Sequence, residues 1–238
     1  MPAYTLTDSA VLPFIIIPVV LVLLLLWGVS AASRRLGETA ATRQSIVLAT
    51  LIGAVAWMAL TWAVAATGLL GRWDATPPPF AILVLLTVLL AIRLSSGRYG
   101  ARLAMGLPIW TLVAVQSFRL PLETAMHALV ERGIMPPQMS YSGRNFDIVT
   151  GITALIVAIV ARHRQARALV AVWNVMGLAL LLNVVGVAIV STPRLQWFGS
   201  DRTSAFVTYP PFVWLPAIMV LAALAGHLLI FRALRARG

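Results

Sequence analysis

The sequence predicts an all-α protein that crosses a membrane about seven times, and three observations lead to this fold class. First, 61% of the 238 residues are hydrophobic and only 11% are charged, whereas a soluble domain carries about 25% charged residues. Second, the apolar residues form long continuous runs, and a helix needs roughly 20 such residues to cross the hydrocarbon core. Third, most basic residues lie in short segments between these runs, as in multi-pass membrane proteins.

Each apolar run predicts one transmembrane helix within a single integral membrane domain, residues 1–238. The predicted helices cover residues 11–32, 45–70, 80–94, 103–130, 146–161, 168–191 and 206–231. Helices are expected because lipid offers the backbone no hydrogen-bond partner, and a β-barrel would show alternating rather than continuous apolar residues. Pro13 and Pro18 lie early in the first run, where a missing N–H group costs least, and three prolines at 77–79 form a turn before the third run.

The distribution of arginine predicts the orientation of the bundle. Twelve of the eighteen arginines lie after the first, third and fifth runs and in the C-terminal tail, whereas five lie on the opposite side. Five of the seven acidic residues share that arginine-poor side. Because positively charged loops remain in the cytoplasm, we expect the N-terminus outside and the C-terminus inside.

Two missing residue types exclude several functions, since the sequence has neither cysteine nor lysine. Without cysteine there is no disulfide, thiolate metal site or cysteine nucleophile. Without lysine, retinal cannot be held as a Schiff base and a P-loop is incomplete. The net charge of +11 comes from arginines spread over short loops, which indicates topology and contacts with anionic lipids rather than a nucleic-acid partner.

A polar stripe interrupts the fourth apolar run. Arg119, Glu123 and His127 are spaced four residues apart, which places them on one helix face, and Gln116 extends the same face. Since a charge inside a span is costly, we expect Arg119 to pair with Glu123. Pro121 lies between them, frees a backbone carbonyl one turn earlier, around Ser117, and favours a kink. The stripe therefore predicts either a polar pocket or an ion pair that only holds helices together.

Further polar residues are expected at the same outer level of the membrane. Asn145 is a candidate N-cap for the fifth helix, with Asp147 in its first turn. Arg144 has no capping role and is predicted to reach Glu123 or an anionic ligand. The candidate ligand-binding residues of this outward-facing polar cavity are Gln116, Arg119, Glu123, His127, Arg144, Asn145, Asp147 and Asn183. Asn174, in the sixth helix, is expected to hydrogen-bond to a neighbouring helix.

The histidines give little support to a metal or haem site. Glu123, His127 and Asp147 would supply three zinc ligands only in an unusual spacing. His127 and His227 are expected at opposite membrane faces, so they would not share one iron. A serine hydrolase built from His127 with Ser140 or Ser142 lacks a nucleophile-elbow motif. No metal and no cofactor are therefore predicted.

Two short segments of the sequence are Gly-Arg-Asn-Phe-Asp, at residues 143–147, and Trp173-Asn174 followed by Gly177-Leu178. Together these segments resemble those of a group of uncharacterised bacterial multi-pass inner-membrane proteins. The resemblance covers the fourth to seventh predicted helices. It implies a bacterial cell inner membrane, and it carries no activity to this chain.

Three functional hypotheses remain open. The first is a membrane protein that binds or transports a small polar or anionic molecule in the outer pocket. The second is a structural or assembly subunit with a membrane-protein partner, or a homo-oligomer, in which the stripe holds helices together. The third is a membrane-embedded enzyme that uses Glu123 or His127 as acid or base. In all three the lipid bilayer is a partner.

Overall fold

A computed structural model describes residues 4–164 and 166–237. Helices account for 74% of the chain and none of these residues lies in a strand, which confirms the all-α prediction. The α-helices are α1 (Pro13–Arg35), α2 (Ala40–Ala66), α3 (Pro79–Ser96), α4 (Arg98–Gly106), α5 (Ile109–Val115), α6 (Arg119–Glu131), α7 (Ile148–His163), α8 (Arg167–Val190) and α9 (Leu221–Ala236). A π-helical segment, Leu215–Val220, which we call the π-turn, leads directly into α9.

Five helical segments are long and apolar enough to cross a membrane: α1, α2, α3, α8 and the continuous segment Leu215–Ala236. A sixth candidate exists if the bent pair formed by α4 and the α5–α6 segment is counted as one span. Helix α7 is apolar but has only 16 residues. Such a set of helices is that of a membrane protein.

The predicted fourth helix, residues 103–130, is not one continuous helix. It breaks at Leu107, which has an extended backbone (φ −100°, ψ 141°), and the α5–α6 segment is bent by 107° from α4. Pro108 explains the break, because proline lacks an N–H group and disfavours the helical conformation of the preceding residue. The turn Gln116–Phe118 then joins α5 to α6.

The predicted seventh helix, residues 206–231, begins nine residues later than expected, at Leu215, and ends later, at Ala236. Pro210, Pro211 and Pro216 lie at its start, where proline limits helix extension toward the N-terminus. This shift moves His227 from the expected end of the helix to near its middle. The difference decides the composition of the candidate site.

The helices meet at one arginine-rich end, where α1, α3, α7 and α9 end and α2, α4 and α8 begin. There Arg232 donates hydrogen bonds to the last carbonyls of α3, and Arg237 donates to Ala104 and Leu107. Such bonds satisfy carbonyls that a helix end leaves without partners. Arginines on one helix therefore fix the ends of its neighbours.

Helix α2 lies at the edge of the bundle, with only Thr61 and Ala65 buried along its length. Its C-terminal half is attached by tryptophans: Trp57 Nε1 donates to Ala217 O (2.9 Å), and Trp214 Nε1 donates to Met58 O (3.2 Å). These bonds hold α2 against the π-turn. The N-terminal half of α2 is held instead by a hydrogen bond between Thr50 and Tyr99 of α4, and it leaves space beside α3 and α9.

Candidate functional site

Arg119 forms a buried salt bridge with Asp147, and not with Glu123 as the spacing on α6 predicted. The Nη1–Oδ1 distance is 2.7 Å, and the two residues are 1% and 5% exposed. Asp147 is brought there by Gly151, one turn into α7: a Cβ at that position would lie 2.5 Å from Leu120 N. Because α7 approaches α6 so closely, the long arginine side chain finds its partner on another helix.

The other side of the Arg119 guanidinium contacts His227 on α9. Nη2 lies 3.0 Å from His227 Nε2, and because arginine only donates, Nε2 must be the unprotonated acceptor. His227 Nδ1 therefore carries the proton and donates to Asn174 Oδ1 at 2.7 Å. Asn174 Nδ2 in turn donates to His227 O (3.1 Å), which is the interhelical hydrogen bond expected of Asn174. His227 is thus a neutral imidazole with a defined tautomer.

Glu123 is bound by an amide rather than by a cation. Asn145 Nδ2 lies 2.8 Å from each carboxyl oxygen of Glu123 and also donates to Met139 O at 3.0 Å. Asn145 Oδ1 accepts from Asp147 N at 3.0 Å. This i to i+2 bond makes an Asx turn before α7, so Asp147, rather than Asn145 as predicted, is the N-cap residue. Its side chain binds Arg119 instead of capping the helix.

These contacts define a buried polar cluster that joins α6, α7, α8 and α9. Its members are Arg119, Glu123, Asn145, Asp147, Asn174 and His227. Gln116 lies beside it, fully buried, and donates to Ala223 O at 3.1 Å. Sequence reasoning did not include Asn174 and His227 in the site. Asn174 was recognisable as an amide within an apolar helix. His227 was missed because it was expected near the end of the last helix and not near its middle.

The remaining three predicted site residues lie outside the cluster. His127 is half-buried, with Nδ1 3.2 Å from Ser140 Oγ and Nε2 3.7 Å from the Glu131 carboxylate. Arg144 is exposed, does not reach Glu123 and lies over the Phe198 ring. Asn183 is also exposed and donates to Arg144 O. The binding role of all eight residues stays a prediction.

The space beside the buried polar cluster is small. A cavity of about 30 Å³ is lined by Arg119, Glu123, Asp147 and apolar residues of α8, the π-turn and α9. It has room for a water molecule, which needs at least about 10–15 Å³. A pocket for a larger organic ligand measures about 300–1,000 Å³. The arrangement therefore suits a structural role or a very small ligand.

A second cavity, which we call the large cavity, has a volume of about 640 Å³ and lies between α1, α2, α3, α5 and α9. Its walls are mostly apolar, with leucines of α1 and α3, alanines of α2 and α9, and three glycines, Gly28, Gly53 and Gly226. Trp57 and Ile218 close it on the side where α2 meets the π-turn. This volume falls in the range of ligand-binding pockets.

Polar groups of the large cavity gather at the arginine-rich end of the bundle. Thr50 Oγ1 donates to Tyr99 Oη at 3.3 Å and so links α2 to α4. Next to them Arg102 forms a salt bridge of 2.8 Å with Glu38, in the turn between α1 and α2. The hydrogen bond from Arg102 holds the pKa of the Glu38 carboxyl below its ordinary value. The cavity thus has one polar end and a long apolar interior.

The helices and the two cavities define a helical membrane protein with a buried charge cluster and a large, mostly apolar cavity. Residues 79–235, well over half of the chain, match the family model described as Domain of unknown function (DUF8737). The chain belongs to this family, and the matched region contains every residue of the buried polar cluster. No curated protein and no solved structure matches the chain.

Proposed function

We propose that this protein binds an anionic amphiphile, a molecule with an apolar chain and an acidic head group, in the large cavity. The observation that carries the proposal is the 640 Å³ cavity with its polar groups at one end. An apolar chain matches the aliphatic interior, because burying apolar surface is favourable and non-directional. At the other end, the hydroxyl groups of Thr50 and Tyr99 and the guanidinium of Arg102, which also pairs with Glu38, match a head group.

The charge around the polar end selects an acidic head group. Seven charged residues lie at the two helix junctions of this end, α1 with α2 and α3 with α4: Arg34, Arg35, Glu38, Arg43, Arg93, Arg98 and Arg102. Six of these are arginines, and the single acid already pairs with Arg102. The surplus of positive charge attracts phosphate or carboxylate groups, which arginine binds in a planar, bidentate geometry.

The attachment of α2 provides a route into the large cavity. Tryptophan hydrogen bonds fix its C-terminal half to the π-turn, while the opposite half is held to α4 through Thr50 and Tyr99. Between these two attachments, α2 lines the cavity with residues from Thr50 to Trp57. An amphiphile can enter from the bilayer between α2 and α3 without crossing water.

The proposal includes the membrane topology. Seven spans are formed by α1, α2, α3, the α5–α6 segment, α7, α8 and the Leu215–Ala236 segment. Helix α4, bent by 107° from the next span, lies along the membrane surface, as short amphipathic helices do. The arginine-rich end faces the cytoplasm of a bacterial cell inner membrane, as the sequence resemblance implies. The polar end of the large cavity then faces anionic head groups of the inner leaflet.

The proposal keeps the hypothesis that the protein binds a small molecule, but it places the binding site in the large cavity and not in the outer polar pocket. Arg119 is occupied by Asp147 and His227, so the buried polar cluster favours helix attachment over recognition of an anionic ligand. Transport, the enzyme hypothesis and a role as subunit stay predictions.

A lipid titration tests the proposal. Thermal unfolding of the purified protein in mild detergent is followed while phosphatidylglycerol or phosphatidylcholine is added. A ligand that binds only the folded state raises its stability by about 2.7 kcal/mol at a hundredfold excess over the Kd. We expect the anionic lipid to raise the midpoint at concentrations where the zwitterionic lipid does not. Equal shifts with both lipids would contradict recognition of an acidic head group.

A further inference from the structure

The buried polar cluster contains two carboxyl groups, those of Glu123 and Asp147, but a single cation, Arg119. Arg119 contributes one positive charge, and Asp147 compensates for it at 2.7 Å. His227 is neutral, because its Nε2 accepts from Arg119. Glu123, 2% exposed, has no cation within 4.0 Å among the described residues, and its carboxyl contacts only the Asn145 amide. An ionised Glu123 would leave one uncompensated negative charge in the bundle, which is costly in a medium of low dielectric constant.

We propose that Glu123 is a proton-binding site, whose carboxyl holds one proton in the resting protein and releases it toward the arginine-poor side. The step is a simple equilibrium in which the O–H bond of the neutral carboxyl breaks and the proton leaves on water. No other reactant is required. This inference concerns the buried polar cluster and does not depend on the large cavity.

The groups that face Glu123 from each neighbouring element favour this assignment. On α6 the nearest ionisable residues along its own face are Arg119 and His127. From α7 comes Asp147, and the α9 member of the cluster, His227, is neutral and contacts Arg119. The α8 and π-turn residues that line the adjacent small cavity, among them Leu181 and Leu215, are apolar. Arg119 is the only cation among these buried groups, and Asp147 already pairs with it.

A route for the released proton follows the same face of α6. Glu123, His127 and Glu131 are spaced four residues apart, so each lies about one turn from the next. Glu123 is 2% exposed, whereas the side chains of His127 and Glu131 are 31% and 69% exposed. His127 also contacts the hydroxyl groups of Ser140 and Ser142. Exposure thus increases steadily from the buried carboxyl to solvent.

Infrared spectroscopy of the full chain in lipid nanodiscs tests the assignment. A protonated carboxyl has a C=O stretching band that is separate from the carboxylate bands and shifts in D₂O. At pH 7 we expect this band in the wild type and in Glu131→Gln, and its loss in Glu123→Gln. Thermal unfolding of Glu123→Gln should show a midpoint close to that of the wild type, because glutamine mimics the neutral carboxyl.

Two outcomes would overturn the proposal. One is a wild-type spectrum that is identical to that of a folded Glu123→Gln variant at pH 7, which would mean that Glu123 is ionised. The other is loss of the band on addition of NaCl or KCl at constant pH, which would mean that a metal cation balances the charge. If Glu123→Gln fails to fold, the absence of the band from the wild type at pH 7 still overturns the proposal, since it leaves no proton on any carboxyl.

Discussion

Arg119 and His227 are 108 residues apart in the sequence and are joined by a hydrogen bond of 3.0 Å between Nη2 and Nε2. Through this bond and the salt bridge to Asp147, one side chain of α6 contacts α7 and α9 at the same time. Asn174 adds α8 by binding both His227 Nδ1 and His227 O. Four helices therefore depend on one connected set of polar groups.

The first prediction concerns the buried salt bridge. Arg119→Ala should lower the free energy of unfolding by about 3–5 kcal/mol, because removing one member leaves the Asp147 carboxylate buried without its cation. Arg132→Ala is the control: Arg132 pairs with Asp8 but is half-exposed, and such surface pairs contribute about 0–1 kcal/mol. Unfolding in detergent at several temperatures measures both. Equal losses in the two variants would contradict the assignment.

The same salt bridge can be tested by removing both partners. In the double variant Arg119→Met/Asp147→Leu no charge remains unpaired, and apolar replacement of a buried pair is often neutral or stabilising. We expect the double variant to be more stable than either single variant. A double variant that loses the sum of the two single effects would show that the residues do not interact.

The second prediction uses two glycines of α8. A Cβ on Gly177 would lie 2.7 Å from His227 Cε1 and 2.9 Å from Thr150 Cγ2, whereas one on Gly186 would meet nothing within 4 Å. Gly177→Ala should therefore cost about 1–3 kcal/mol through overpacking against the buried polar cluster. Gly186→Ala should be neutral or stabilise by up to about 1 kcal/mol through helix propensity. Thermal unfolding of the two variants provides the comparison, and equal behaviour would argue against close packing at His227.

The third prediction is a pH dependence at the arginine-rich end. The pKa of Glu38 lies below its ordinary value of 4.5, chiefly because Arg102 donates a hydrogen bond to the carboxylate. Because the pKa of Glu38 is lower in the folded state, the ionised carboxylate stabilises the folded protein at any pH above its ordinary pKa. This contribution disappears as the pH falls through the folded-state pKa. Glu38→Gln should thus be less stable than the wild type at pH 7 and equally stable at low pH. A stability difference that persists unchanged in acid would contradict this.

The fourth prediction concerns orientation. A reporter fused to the C-terminus should be active in the cytoplasm, because α9 ends in the arginine-rich side of the bundle. A second reporter inserted after Gly133, in the loop between α6 and α7, should be active outside. Activity of the C-terminal fusion only on the outer side would reverse the topology and place the polar end of the large cavity in the wrong leaflet.

Local signals in the sequence predicted the helices better than they predicted the contacts of the site. Helices α1, α3, α7 and α8 begin and end within three residues of the predicted spans, because each span is a long apolar run bounded by arginine, proline or glycine. Polar residues in such runs must find partners, so Arg119, Glu123 and Asn174 were recognisable as special. Spacing alone suggested the wrong partner for Arg119, since a long side chain reaches neighbouring helices as easily as the next turn.

Two features depended on tertiary structure and had no clear sequence signal. The depth of His227 follows from the late start of the last helix, which is set by prolines around residues 210–216 and by the π-turn. The large cavity follows from the position of α2, which tryptophan hydrogen bonds fix at one end only. Apolar periodicity identifies α2 as a span but contains no information about the space beside it.

Native mass spectrometry of the protein purified in mild detergent tests the central claim most directly. Gly53 lies on the wall of the large cavity with nothing within 4 Å of its Cβ position, so the ring of Gly53→Phe should occupy part of the cavity without a clash at Cβ. Ala59→Phe, at an exposed position of α2 outside the cavity, is the matched control. We predict a bound anionic amphiphile in the wild type and in Ala59→Phe, and its loss in Gly53→Phe. An identical bound mass in all three proteins, or none in the wild type, would contradict amphiphile binding in the large cavity.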